Sequence, residues 1–100
     1  VLQLNGTEKV KSMDFSEKML EPVSAGIIGA CIQQNRVLES LNLDSNMLCG
    51  INRYTGEGTY TAEGITKLCE GLKGSCVTSL SLWGNAIGHK GASALAAILK

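Results

Sequence analysis

Val37-Leu-Glu-Ser-Leu-Asn-Leu-Asp-Ser-Asn46 returns thirty-nine positions later as Cys76-Val-Thr-Ser-Leu-Ser-Leu-Trp-Gly-Asn85. Near-copies at a fixed offset mark units that stack side by side, because one unit alone cannot bury its apolar face. Each copy continues with an apolar residue two positions after the asparagine (Leu48, Ile87), then a glycine, then a helix-like pattern ending in Leu-Lys. Working backwards, Met13 falls where Leu41 and Leu80 stand, so a third unit precedes the two clear ones at a spacing of 28.

Two periodicities run through each unit. The strand-and-turn positions are Val10, Met13, Phe15 and Leu20; Leu38, Leu41, Leu43 and Leu48; Val77, Leu80, Leu82 and Ile87. The helical positions are Ala25, Ile28 and Ile32; Ile65, Leu68 and Leu72; Ala92, Leu95 and Leu99, spaced i, i+3, i+7 along one helix face. Every one of these positions is apolar, and agreement of two periods in three copies is a strong statement about fold.

The pattern resembles the leucine-rich repeat family, in its ribonuclease-inhibitor-like subtype, over nearly the whole chain from about Leu4 to Lys100. The stretch Leu80-Ser-Leu-Trp-Gly-Asn-Ala-Ile-Gly88, followed by Gly91-Ala-Ser-Ala-Leu-Ala-Ala-Ile-Leu-Lys100, carries the resemblance most specifically. Gly58-Thr-Tyr-Thr-Ala-Glu-Gly-Ile65 is also similar to repeats of algal and other protist arrays. The resemblance implies an α/β solenoid, a horseshoe segment with parallel strands on the concave face and helices on the convex face. Its units would be about 10–37, 38–76 and 77–100. It also implies that Asn46 and Asn85 bond the backbone of the turn after each strand. Lys18 stands at that place in the first unit, and a lysine donates but does not accept, so an irregular or exposed turn is expected there.

Neither end reads as a polar cap: Val1-Leu-Gln-Leu4 looks like the tail of a helix and Leu99-Lys100 like the end of another. The expectation is a segment of a longer array. The second unit is longer than the others, and the extra residues fall near 49–61, where glycines and polar residues predict an exposed loop on the strand-to-helix side.

Nine Lys plus Arg balance nine Asp plus Glu, without a basic cluster, which argues against nucleic acid as a partner. The longest apolar stretch, Ala25 to Ile32, is far short of the ~20 residues of a membrane-spanning helix, so no direct membrane insertion is expected. Cys31, Cys49, Cys69 and Cys76 lack metal-ligand spacing and the chain has one histidine, His89. Free, buried thiols are the expectation, with an intracellular setting, cytoplasmic or organellar, and neither metal nor cofactor.

Residues between the buried leucines alternate to the other side of the sheet. They form rows: Ser12, Ser40 and Ser79; Asp14, Asn42 and Ser81; Ser16, Asp44 and Trp83; Glu17, Ser45 and Gly84. Trp83, the single tryptophan, is the residue most suited to an interface, with Asp44, Asn42, Asp14 and Ser81 around it. Packing against the long loop or a further repeat is the competing role for its indole. In the insertion, Arg53 and Tyr54 suit partner contact, whereas Tyr60, next to the helix start, suits anchoring the loop. His89 is expected in a surface turn between Gly88 and Gly91, with no nucleophile and carboxylate arranged around it, and Asn5-Gly-Thr7 is a glycosylation sequon of low specificity.

The expected function is therefore non-enzymatic protein binding or scaffolding through the concave face and the inserted loop. The alternatives are an accessory subunit docked in a large multi-subunit assembly, or a regulator of an enzyme of the inhibitor, GTPase-activator or immune-sensor type.

Overall fold

A computed structural model describes residues 11–97, with side chains through Ala96. Val1–Leu4, the Asn5 sequon, Val10 and Leu99-Lys100 lie outside the described residues. Elements alternate strictly: β1 (Ser12–Asp14), α1 (Pro22–Gln34), β2 (Ser40–Asn42), α2 (Glu63–Lys73), β3 (Ser79–Ser81) and α3 (Gly88–Ala97). The strands form one sheet in the order β1-β2-β3, each pair parallel. Parallel neighbours need a long crossover, and α1 and α2 supply it. The described residues form a small, open α/β domain of three parallel strands and three helices.

The register places Met13, Leu41 and Leu80 opposite one another, flanked by the Ser12–Ser40–Ser79 and Asp14–Asn42–Ser81 rows. Pairing continues beyond the strands with the same bonds at both seams. Phe15 donates its amide to the Asn42 carbonyl and Leu43 to that of Ser81, each at 2.8 Å. Glu17 donates to Asp44 at 3.0 Å and Ser45 to Trp83 at 2.6 Å. Equivalent residues of the three turns, Glu17, Ser45 and Gly84, share a left-handed backbone, with φ of 53°, 58° and 77°. Only the third is glycine, the residue to which that conformation costs nothing.

The leucine side of the sheet and the inward faces of the helices share one apolar cluster centred on Leu38, Leu41, Leu43 and Leu48 with Ala25, Ile28, Ile32, Ile65 and Leu68. Met13, Phe15, Leu20, Val77, Leu80, Leu82, Ile87 and Leu95 are only partly buried, because β1 and β3 are the sheet's two edges. Ala92 departs from expectation: it is exposed. Its counterpart Ile65 is sealed on α2 between two neighbouring helices, whereas no described element lies on the far side of α3.

Pro22 starts α1, where its missing amide would have been unbonded in any case. In α2, Glu63 in the first turn and Lys73 in the last suit the helix dipole. The two helices meet through glycines rather than interlocked side chains. A Cβ on Gly71 would lie 2.0 Å from the Gly29 carbonyl oxygen, and one on Gly64 2.6 Å from that of Pro22.

The insertion is a small hairpin. Ile51 and Gly58 form an antiparallel bridge, and Asn52 donates its amide to the Glu57 carbonyl at 2.8 Å. Gly50 and Gly58 let its two arms approach backbone to backbone. Tyr60 ties the hairpin down: its hydroxyl donates to the Ile87 carbonyl and accepts from the Gly91 amide at 3.3 Å. His89 sits in the first turn of α3 and not in a separate turn, because the helix begins at Gly88.

Candidate functional site

The three turns after the strands are joined by asparagine side chains. Asn46, 1 % exposed, donates from Nδ2 to the Phe15 and Leu43 carbonyls, both at 2.9 Å, and to that of Asp44 at 3.2 Å. Its Oδ1 accepts from the amides of Lys18 at 2.9 Å and Leu20 at 3.0 Å. Asn85 does the same one seam on, donating to Leu43 and Leu82 and accepting from Leu48. Each amide thus serves its own turn and the turn before it. Lys18 is exposed, and two neighbours in its turn, Glu17 and Met19, have positive φ.

These rigid turns hold a surface cluster on the open face of the sheet, opposite the leucines. One Asp44 oxygen, Oδ1, accepts from the Ser81 hydroxyl at 2.5 Å and the Trp83 amide at 2.7 Å. Arg53 reaches from the hairpin onto the same spot. Its guanidinium carbon lies 4.3 Å from the centroid of the Trp83 ring and 5.3 Å from that of Tyr54, and Nη1 donates to Ser45 Oγ at 2.6 Å. Gly84 makes room for it, since a Cβ there would stand 2.7 Å from Nη1. Trp83 packs against the hairpin in this way and still leaves 67 % of its surface exposed, with Tyr54 at 70 %.

Of the candidate interface residues, Trp83, Asp44, Ser81, Arg53 and Tyr54 come together here. Asn42 and Asp14 share the Ser81 row but bond locally: Asn42 Oδ1 accepts from the Asp44 amide, and Asp14 Oδ1 from that of Ser16, both at 2.9 Å. Hydrogen bonds from the Ser16 side chain and backbone hold the Asp14 carboxyl below its usual range. Ser45 and Gly84, row-mates of Glu17 with no interface role expected from their residue types, are the seat of Arg53. Their signal is the shared left-handed turn.

Asn35 is a buried polar residue the repeats do not announce. Its Oδ1 accepts from the Val37 and Leu38 amides at 2.7 and 2.8 Å, turning the chain from α1 into β2. Ser75 performs the corresponding turn after α2, its hydroxyl oxygen accepting from Val77.

All four cysteines are free thiols, with Cys49 and Cys69 buried and Cys31 and Cys76 half-buried. Burial pushes the Cys49 and Cys69 thiols up. Among the described residues no three His, Cys, Asp or Glu side chains gather as a metal site, and no helix is long and apolar enough to cross a membrane. Compared with known proteins, the chain matches no family model, no curated protein and no solved structure at significance.

Proposed function

We propose that this chain is part of a leucine-rich repeat solenoid of the ribonuclease-inhibitor-like kind, and that it works as a non-enzymatic protein-binding module. The turn bonds repeated at both seams support the solenoid reading. The binding reading is carried by one observation: an arginine, a tryptophan and a tyrosine, residue types favoured at interfaces, are stacked and exposed on a sheet face stiffened by buried asparagines. A rigid platform loses little entropy when a partner lands.

The test compares full-length protein with its Trp83→Ala variant in quantitative affinity purification, with a thermal melt of each. Loss of bound partner at an unchanged melting temperature supports the reading. Unchanged partners, or a variant that unfolds, make Trp83 a packing residue instead.

A second reading has its own support. Val23 and Ile27, 75 % and 56 % exposed, project one turn apart from the outer side of α1, with Met19 exposed just before the helix. An apolar stripe of that kind suits an accessory subunit docked permanently in a larger assembly.

A further inference from the structure

Arg53 is a cation held in place without a counter-ion among the described residues. Its only hydrogen bond among the described residues is Nη1 to Ser45, and no carboxylate pairs with it. The acidic group of the same row, Asp44, is turned to Ser81 and Trp83 instead. Three features confine the guanidinium, the Trp83 ring, the Tyr54 ring and the Ser45 hydroxyl, and Gly84 leaves the room it occupies. An arginine side chain carries about 2 kcal/mol of rotamer entropy, and here much of that freedom is already given up. What remains is a planar fork with free N–H groups, the geometry that a carboxylate takes in two parallel bonds.

The opposite end of the same face carries both signs of charge, with Lys11 and Lys18 exposed beside its carboxylates. Asp14 and Glu17 lie exposed on and just after β1, two strands away from Trp83 in the sheet order. A nucleic acid fits poorly, since its phosphates would meet Asp14, Glu17 and Asp44 on a chain with no net charge.

Resting on the protein-binding reading above, we propose that the open face takes an acidic segment of a partner protein. Its Asp or Glu carboxylate seats on Arg53 beside the exposed Trp83 ring.

Selection of random 12-residue peptides displayed on phage against the full-length protein tests this, with affinities of the best synthetic peptide measured by calorimetry. The expected winners share an aspartate or glutamate. Arg53→Gln, or replacing the peptide's acid by its amide, weakens binding at least tenfold, and Arg53→Glu regains binding to a peptide whose acid is exchanged for lysine. An unchanged melting temperature shows that the variants fold. Winners without an acid, or binding lost in Trp83→Ala but unaltered in Arg53→Gln, overturn the carboxylate assignment and leave the interface reading standing. A selection that yields no binder, or an Arg53-dependent affinity for a 20-nucleotide oligothymidylate, overturns both.

Discussion

Asn46 accepts a hydrogen bond from the backbone amide of Leu20 at 3.0 Å, across the seam between the first unit and the second. With the Lys18 amide and three carbonyls also on this one side chain, five backbone groups bond to it, of which the Leu43 and Asp44 carbonyls keep a second donor in Asn85 and Glu17. A buried polar group left without a partner costs ~1–3 kcal/mol. Asn46→Ala is expected to destabilise by about 3 kcal/mol or more in urea unfolding. Asn85→Ala, which takes a bond from three groups while Leu43 keeps that from Asn46, is expected to cost less. Equal losses for the two variants would show that the number of bonds does not set the penalty.

How much of this could be read from residues alone follows the same division. The leucines of the strands and the inward residues of α1 and α2 are legible because period 2 and period 3.6 each dictate a side. Ala92 has the right period and is exposed, since burial also needs a neighbour, and period says nothing of neighbours. Packing of Trp83 against the long loop is a role the sequence offers, but the choice of Arg53, thirty residues away, depends on which way the hairpin leans, and Tyr60 decides that through a hydrogen bond to Ile87. Asn35 went unread because its place in the next unit is filled by a different residue type, Ser75, so the repeat conceals a shared job.

Helix packing gives a contrast between two glycines. At Gly71 a methyl group would be driven into the Gly29 carbonyl at 2.0 Å, with backbone on both sides and nothing free to yield. Gly71→Ala is expected to push α1 and α2 apart and destabilise by about 3 kcal/mol, at the upper end of overpacking costs. Gly56 has a positive φ of 76° and open space around it, so Gly56→Ala carries only backbone strain, about 1 kcal/mol. Thermal melts of the two variants check the order, and a Gly71→Ala protein as stable as Gly56→Ala would contradict the close approach.

The buried thiols predict an alkaline weakness. Cys49 and Cys69 titrate above the ordinary thiol value of 9.0 because burial disfavours the thiolate, whereas in the unfolded chain they ionise near that value. The folded state therefore keeps its protons longer. Stability is fully present below about pH 9 and falls as pH rises through the raised values. Cys69→Ala is expected to flatten the decline in melting temperature between pH 8 and 10. At pH 8, a small alkylating reagent is expected to label Cys31 and Cys76 before the buried pair. Simultaneous labelling of all four would show that the core opens faster than the half-buried thiols react.

Gly84 separates the stability of the turn from the placement of Arg53. Its equivalents Glu17 and Ser45 adopt the same left-handed backbone with side chains attached, so the turn itself accepts a Cβ at a cost of ~1–2 kcal/mol. The group that such a Cβ would strike is the Arg53 guanidinium, 2.7 Å away at the end of a flexible side chain that can swing clear. Gly84→Ala is therefore expected to melt only a few degrees lower while lifting Arg53 off the Trp83 ring. The indole then loses its cover, and acrylamide quenching of the single tryptophan should rise toward the level seen in Arg53→Ala. If quenching in Gly84→Ala stays at the wild-type level, the guanidinium does not depend on the missing side chain, and Gly84 serves the backbone alone.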